Sequence, residues 1–308
     1  MKFIFLLSTL FVGQIAYSQT IYRFLNLDVS AREASLAGAS LARTSDPSGF
    51  FYNPAVSVNA GNRIVTFGFL KHILDINAGY VFATAEKPAI GYFGIGIGYI
   101  NYGSFTTTDE FGNQLGTFSA GDAMLVLNYS NLLAEDFSYG FNLKGIYSSI
   151  ASARSSAIAF DAGLYYNFPS NMLGIGFSID NIGAQLDYYG GSRESLPLNV
   201  RIGVTKQLEH LPLVLNVALQ HLADSDLSLS DKLSSFAVGG EFLLSDNLEL
   251  RIGYDNLKHK QMKIGVNSGL EGMSFGLGLK VAGYTFDYSF SSWGKIGALH
   301  RVNVTTAI

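Results

Sequence analysis

The sequence predicts an all-β protein: a 14-stranded antiparallel transmembrane β-barrel with an N-terminal helical hatch that plugs it. Three observations lead to this fold class. They are an export signal, a low content of charged residues, and apolar residues that recur at every second position. The 308 residues hold 14% charged residues beside 23 Phe and 17 Tyr, whereas a soluble protein carries about 25% charged residues. The formal net charge of −4 leaves no basic excess for phosphates, so nucleic acid is not expected as a partner.

Residues 1–18 have the features of a secretory signal peptide. Lys2 supplies the positive start, Phe3 to Val12 is nearly all apolar, and Ala16 and Ser18 are the small residues that a signal peptidase reads. The apolar run is shorter than the ~20 residues of a membrane-spanning helix, so we expect cleavage before Gln19 rather than a membrane anchor. An exported chain of this kind is either a secreted β domain or an outer-membrane protein.

Strand periodicity begins near residue 61 and continues to the C-terminus. Phe93, Ile95, Ile97 and Tyr99 alternate with glycines, and the same pattern recurs in residues 173–180, 213–220 and 248–255. Such alternation marks a strand with one apolar face. A β-sandwich shows it too, but many runs here reach or exceed the ~9–11 residues that a tilted strand needs to cross a bilayer. Residues 61–308 are therefore predicted to form a transmembrane barrel in the outer membrane.

In the predicted strands, the positions between the apolar residues are occupied by glycine, serine and charged residues of both signs. This composition fits a polar barrel lumen better than a dry sandwich core. Tyrosine and phenylalanine cluster near the strand ends, as the aromatic girdles of outer-membrane barrels do. The charged residues expected in the lumen are Lys144, Asp161, Arg201, Glu249, Arg251, Lys280 and Asp287.

The requirement for an even number of strands determines the predicted topology. A first count gives an odd number of strands, whereas single-chain bacterial barrels have even numbers. Assigning the weakest run, residues 262–266, to a loop leaves ~14 strands. The connections at 86–88, 133–135, 168–170, 209–211, 245–247 and 282–283 then fall at one end and are short. Those at 104–119, 184–195, 222–232, 257–271 and 292–298 fall at the other end and are long.

Residues 19–60 show no strand period and are predicted to form the hatch. Ser30 can cap a short helix with Glu33 in the capping-box position, and Gly38 can end it. Asp46 before a proline indicates a second helix start, which ends before Pro54. A preformed element placed before the first strand can enter the lumen and plug it. The residues predicted for this role are Ser30, Leu36, Gly38, Asp46, Phe51, Asn53 and Pro54.

The run from Ser30 to Ala39, followed by Asp46 and the Tyr52-Asn-Pro-Ala55 motif, resembles the N-terminal hatch of the FadL-like outer-membrane barrels. The resemblance is closest to the PorV/PorQ family of the type IX secretion system, and it extends over the mature chain. The chain departs from many outer-membrane barrels in ending at Ile308 without a terminal aromatic residue. Further matching segments lie at 118–122, 161–165, 180–183, 196–198, 250–254 and 286–301.

This resemblance implies a non-enzymatic outer-membrane component of type IX protein secretion or surface attachment in a Bacteroidetes-type bacterium. The implied partners are a sortase, the translocon or the surface attachment complex, and secreted cargo, bound through the extracellular loops. A PorV-like shuttle and a PorQ-like anchor remain alternatives. Aromatic residues in the long connections are the predicted partner-binding residues, although each could instead pack against neighbouring loops: Phe105, Phe111, Phe118, Tyr188, Tyr189 and Trp293.

The alternative function is FadL-like uptake of hydrophobic small molecules. It predicts a hatch that moves and an apolar pocket beneath it, lined by Phe50, Phe51 and Tyr52. The secretion function predicts a hatch that stays closed, because an open pore of this width would leak.

No catalytic, cofactor or metal site is predicted. The five histidines are isolated and lack metal-binding spacing. The glycines of 91–98 alternate within a strand, so we interpret them as leaving room on the inner face for a plug or ligand rather than as a nucleotide-binding loop. Asp224 and Asp226 lack the rest of a calcium loop. A barrel hydrolase would need His259 or His300 beside a serine or aspartate at the outer rim, and the spacing of these residues does not favour it.

Overall fold

The computed structural model describes residues 20–42, 46–191, 193–263 and 269–308. The predicted signal peptide, residues 1–18, lies outside the described residues. The described chain forms a closed barrel of 14 antiparallel strands around its N-terminal segment, as the sequence predicts. The strands are β1 Ile64–Lys71, β2 Asn77–Lys87, β3 Gly91–Thr108, β4 Gln114–Ala134, β5 Phe137–Ile150, β6 Ala153–Phe168, β7 Leu173–Asp187, β8 Asn199–Gln207, β9 Leu213–Leu219, β10 Phe236–Ser245, β11 Leu248–Asp255, β12 Met273–Val281, β13 Tyr284–Ser292 and β14 Ala298–Ala307.

Every strand pairs with its neighbours in the sequence, and β1 closes the barrel against β14 from Ile64↔Ala307 to Lys71↔His300. Closure removes the sheet edges that would otherwise expose unpaired backbone groups. Three short α-helices of the described chain are not part of the wall: α1 Ala31–Ser35, α2 Leu229–Leu233 and α3 Asn256–Met262. None of the helices in the described chain is long and apolar enough to span a membrane.

The connections sort by end as predicted. Those at 88–90, 135–136, 169–172, 208–212, 246–247 and 282–283 are short and share one end, which we take as periplasmic. The other end, which we take as extracellular, carries the longer connections, two of which contain α2 and α3. It also carries short connections at 72–76, 109–113 and 151–152, so the predicted sorting by length holds only in part. The run at 262–266 is not a strand in the part described: Met262 ends α3, and residues 264–268 lie outside the described residues.

One predicted loop is wrong. Residues 104–119 are mostly strand, because β3 continues to Thr108 and β4 begins at Gln114. The serines and threonines of this stretch suggested a loop, but threonine and phenylalanine are β-formers. The turn signal is confined to residues 109–113, where Asp109 accepts hydrogen bonds from the backbone N–H groups of Phe111 (2.9 Å) and Asn113 (2.8 Å).

The two faces of the wall follow the alternation. Phe93, Ile95, Ile97 and Tyr99 are exposed on the outer face, where a bilayer would cover them. The charged residues predicted for the lumen are buried inside, except Lys280, which is half-exposed at the periplasmic rim. An apolar exterior around a polar interior is the arrangement of a membrane-spanning barrel.

The N-terminal segment lies inside the barrel and begins its first helix where predicted. The Ser30 hydroxyl accepts a hydrogen bond from the Glu33 backbone N–H (3.4 Å). The second bond of a capping box, from the Ser30 N–H to the Glu33 side chain, is not formed. The Ser30 N–H donates to the Tyr52 hydroxyl instead (3.2 Å), and the Glu33 carboxylate pairs with Arg32. Gly38, at φ +72°, donates its N–H to the Glu33 carbonyl (2.9 Å) and closes the helix.

Two 3-10 turns follow α1. The Asp46 carboxylate accepts from the Ser48 N–H (2.9 Å) and caps Pro47–Phe51, as the sequence indicates. The Asn53 side chain accepts from the Ala55 N–H (3.1 Å) and starts Pro54–Asn59, a turn that we did not predict. Prolines at the first position of both turns suit the helical backbone angles.

Candidate functional site: the plugged lumen

The body of the plug, which comprises the described residues 28–42 and 46–60, is seated on glycines of the barrel wall. A Cβ at Gly253 would lie 2.6 Å from the Ala37 backbone nitrogen, and one at Gly94 would lie 2.6 Å from the Phe50 ring. Any larger residue would therefore push the plug away from the wall. We call this set the glycine collar, and it comprises Gly94, Gly140, Gly163, Gly174, Gly176, Gly203, Gly239, Gly253 and Gly276.

Asparagine side chains bind the plug backbone to the wall. Asn142 of β5 donates to the Phe50 carbonyl (2.9 Å), and Asn128 of β4 donates to the Pro54 carbonyl (3.1 Å). Asn53 of the plug donates in turn to the β6 backbone (3.1 Å). These bonds satisfy buried backbone groups of the irregular turns, which would otherwise be costly to bury.

A buried network of charges ties α1 to strands β10, β11 and β13. Arg32 of α1 contacts Glu241 (3.0 Å), which also contacts Arg251 (2.8 Å). Arg251 lies at the centre, with its side chain 1% exposed, and also pairs with Asp287 (2.5 Å) and Glu249. Each charge is compensated, as burial requires.

A second buried cluster depends on a bulge in β7. Asp180 and Asn181 together face Asp161 of β6, because the register shifts there and Asn181 adopts φ +64°. The Asn181 N–H donates to Asp161 (2.7 Å), and Asp161 pairs with Lys144 (2.8 Å). Asp180 pairs with Arg201 (2.8 Å). The bulge thus turns two consecutive polar side chains into the lumen.

This cluster contacts the aromatic residues of the plug. The Lys144 ammonium lies 4.8 Å from the centre of the Phe51 ring, and the Arg201 guanidinium lies 5.6 Å from the Tyr52 ring. Both are cation–π distances.

The extracellular half of the lumen is apolar on the side of β1 to β6. Apolar side chains from these strands and β14 point inward here and form one buried cluster with Phe50, Phe51 and Tyr52 of the plug. Phe82 packs edge-on against Phe50 with ring centres 5.5 Å apart. We call the space enclosed by these wall residues, which the plug and the N-terminal residues fill, the apolar chamber. Its wall residues are Leu70, Ala78, Tyr80, Phe82, Ile100, Met124, Val126, Ile146, Ala157, Ala159 and Leu299.

Residues 20–27, which we call the mouth segment, cover the chamber from the extracellular end. Tyr22, Phe24 and Leu25 are buried in the same apolar cluster. The polar bonds between this segment and the rest of the described chain include the Ile21 N–H to the Ser195 carbonyl (3.2 Å), a buried hydroxyl pair of Tyr22 and Ser155, and contacts of Thr20 and Arg23 with Asp226. Arg23 pairs with Asp226 (2.6 Å) with the two side chains 69% and 42% exposed. We did not single out these residues from the sequence, although their run of apolar and aromatic residues directly after the signal peptide was a usable signal.

Asp28 follows the mouth segment, begins the plug body and is held by two polar contacts. Its carboxylate contacts Lys258 of α3 (3.3 Å), and its carbonyl accepts from Arg301 of β14 (2.8 Å). Burial alone would raise the pKa of Asp28, but the positive charges of Lys258 and Arg301 outweigh it and hold that pKa below its usual range. Asp28 therefore separates the weakly tied mouth segment from the plug body.

A polar cavity of about 830 Å³ lies beneath the plug at the periplasmic end. Arg32, Asp46 and Asn59 form its roof, and Lys280 and Thr305 line its wall. The predicted apolar pocket beneath the hatch is therefore wrong. Phe50, Phe51 and Tyr52 pack into the apolar cluster instead, because the lower surface of the plug carries charges that must stay paired or hydrated.

The predicted partner-binding aromatics divide into two groups. Phe105 and Phe118 lie opposite each other on β3 and β4 with ring centres 5.2 Å apart, and Phe111 is 89% exposed at the tip between them. Tyr189 donates to the Ser148 hydroxyl (2.7 Å), and Trp293 packs edge-on against His72, so both contact the barrel mouth. Tyr188 is exposed.

The two histidines weighed for catalysis contact neither serine nor aspartate in the hydrogen bonds of the described chain. His259 Nδ1 lies 3.1 Å from the Glu271 carbonyl, and His300 Nδ1 lies 2.8 Å from the Tyr288 hydroxyl. Among the described residues, no cluster of three or more histidine or acidic side chains could hold a metal ion.

Comparisons with solved structures show the fold. The Pseudomonas putida toluene transporter TodX matches with a TM-score of 0.63 at 11% identity, over 90% of this chain and 97% of that one. A Pseudomonas aeruginosa FadL homologue matches with a TM-score of 0.58 at 11% identity, over 91% of this chain and 99% of that one. The chain therefore has a FadL-like fold. The Ralstonia pickettii toluene transporter TbuX gives 0.56 at 10% identity, over 89% and 96%. No family model and no curated protein matches the sequence.

Proposed function

We propose that this protein is an outer-membrane transporter for hydrophobic small molecules, gated by its own N-terminus. The observation that carries the proposal is the apolar chamber in the extracellular half of the lumen, which the mouth segment covers. Porin lumens are polar and water-filled, so an apolar lining suits a hydrophobic solute. The FadL-like fold supports the same class of function, since two of the similar structures are described as toluene transporters.

The gate in this proposal is the mouth segment, because a ligand can replace its apolar contacts and only a few hydrogen bonds hold it besides. Tyr22, Phe24 and Leu25 hold it mainly through apolar burial, and a hydrophobic molecule offers the wall the same contacts. The exposed pair of Arg23 and Asp226 contributes only about 0–1 kcal/mol.

The plug body stays seated in this proposal. Its attachments are buried ion pairs, asparagine bonds and the glycine collar, none of which an apolar ligand can replace. Removing one partner from a buried ion pair costs about 3–5 kcal/mol.

A disulfide lock tests the gate. Thr20 and Ser195 form a parallel β-bridge, and bridged residues lie within the Cα separation that a disulfide needs. The chain has no cysteine, so Thr20→Cys with Ser195→Cys gives one defined crosslink. Uptake of radiolabelled toluene should stop on oxidation and return on reduction. Ser149→Cys with Arg154→Cys, a cross-strand pair within the wall, is the matched control and should transport in both states. Equal uptake by the locked and reduced forms would contradict the proposal.

A second candidate function is the one that the sequence resemblance implies. The protein would act as a non-enzymatic component of type IX secretion or surface attachment, binding partner or cargo proteins with its extracellular side. The specific observation in its favour is the pair of long strands β3 and β4, which carry Phe105, Phe111 and Phe118 past the rest of the extracellular rim.

A deletion strain separates the two candidates. The secretion function predicts lost surface cargo and recovery of a sortase-like, translocon or attachment protein with the tagged chain, and the recovered partner would distinguish shuttle from anchor. The transport function predicts normal surface cargo and slow growth on a hydrophobic nutrient.

A further inference from the structure

Strands β3 and β4 extend beyond their neighbours at the extracellular end. The pairing of β2 with β3 ends at Asn77↔Asn101, and that of β4 with β5 ends at Ala120↔Ile150. The pairing of β3 with β4 continues to Thr108↔Gln114. Residues 101–121 therefore form a two-stranded ribbon, which we call the projecting hairpin.

The β3 side of this hairpin is an open sheet edge. Within the described chain, Ser104–Thr108 pairs with β4 alone. The β4 side is partly occupied, since the Ala151 N–H donates to the Ser119 carbonyl (3.0 Å). Natural proteins protect such edges with charges, proline or β-bulges. The sequence Ser-Phe-Thr-Thr-Thr of residues 104–108 carries no charge and no proline, and the register with β4 shifts between Asn101 and Ser104 and again between Thr107 and Thr108.

The hairpin is ordered without a partner. Its tip is fixed by Asp109, which accepts from two backbone N–H groups and from the Asn113 side chain (2.8 Å). The Phe105 and Phe118 rings stack across the two strands. A preformed edge lowers the entropic cost of adding another strand.

We propose that the edge Ser104–Thr108 binds an extended segment of a partner polypeptide as an additional β-strand. The open N–H and C=O groups recognise the backbone of that segment, and Phe105 contacts one of its side chains. The hairpin carries Asp109 and Glu110 but no lysine or arginine. The complementary segment is therefore uncharged and β-branched along the edge, with a basic residue at the end nearest the tip.

Barrel geometry disfavours a second copy of the chain as the occupant. Two barrels in one membrane are related by an axis along the membrane normal, so their β3 strands would run in the same direction. Such strands pair in parallel, and parallel pairing is the less stable arrangement. A separate polypeptide can add in either direction. This proposal goes beyond transport and does not depend on it.

The proposal can be tested by peptide display. Random octapeptides are selected for binding to the full-length protein in lipid nanodiscs. Counter-selection uses a variant whose residues 103–119 are replaced by a short turn. We expect enrichment of alternating β-branched or aromatic peptides with a terminal lysine or arginine. Hydrogen exchange of amides in 104–108 should slow about tenfold or more when such a peptide binds.

The decisive variant carries Thr106→Lys and Thr108→Lys, which place charges on the open edge. Peptide affinity should fall about tenfold or more, while toluene uptake and exchange in β4 of the free protein stay unchanged. The matched control, Leu229→Lys with Leu233→Lys, adds the same charge to exposed residues of α2 and should bind normally. Enrichment of no peptide, protection away from 104–108, or dimerisation through the hairpin would each overturn the proposal.

Discussion

The mouth segment and the plug body occupy the same lumen but are held by different forces. The mouth segment packs Tyr22, Phe24 and Leu25 into an apolar chamber and adds a single β-bridge to Ser195, a Tyr22–Ser155 hydroxyl bond and one exposed ion pair. The plug body is fixed by buried charges, wall asparagines and backbone contacts with glycines. Apolar burial is non-directional and exchangeable, whereas a buried ion pair cannot be broken cheaply. In the proposed transport function, this difference lets one chain combine a fixed plug with a movable gate.

The largest effect should come from removing the central charge of the plug body's network. Arg251→Ala would leave Glu241, Glu249 and Asp287 without their shared cation, and we expect a loss of about 3–5 kcal/mol in the free energy of unfolding. Urea unfolding in lipid vesicles measures it. Lys280→Ala at the half-exposed rim is the control and should cost about 1 kcal/mol or less. Equal losses for the two variants would show that the network does not hold the plug.

A smaller effect should follow from filling the glycine collar. Gly253→Ala places a Cβ against the backbone of the plug, and overpacking of this kind costs about 1–3 kcal/mol. The same unfolding assay applies, with leakage of a hydrophilic dye through the barrel as a second readout. Gly145→Ala is the matched control, since nothing lies within 4 Å of its added Cβ. If Gly253→Ala were as stable as the wild type and did not leak dye, the plug backbone would not pack closely against Gly253.

The smallest effect on stability is expected at the mouth. Arg23→Ala removes the exposed pair with Asp226 and should change the free energy of unfolding by less than about 1 kcal/mol. Hydrogen exchange of amides in residues 21–27 should nevertheless become faster, while that of residues 33–42 stays the same. Faster exchange throughout the plug would mean that the two regions move together.

Local patterns in the sequence were sufficient for the wall and for the starts of α1 and of the turn Pro47–Phe51. Alternation alone places Phe93 to Tyr99 on the outer face, and the caps at Ser30 and Asp46 depend only on nearby residues. The same is true of the glycines of β3, whose expected role as space for the plug is seen at Gly94 against Phe50.

Features that need two distant segments could not be predicted. The apolar chamber forms where wall residues such as Phe82 meet residues of the N-terminal segment such as Phe24. Alternation shows which residues of a strand point inward, but not at which level of the lumen the inward residues of neighbouring strands are apolar. The pocket was misplaced for this reason. The projecting hairpin was missed because Ser104 to Ser119 is rich in residues common to loops and strands alike.

Hydrogen exchange in lipid nanodiscs, with and without toluene, tests the central claim most directly. If the mouth segment is the gate and the plug body is fixed, toluene should speed exchange in residues 21–27 and leave residues 33–42 and 46–56 protected. Exchange that rises in the plug body, or that does not change in the mouth segment, would contradict the account.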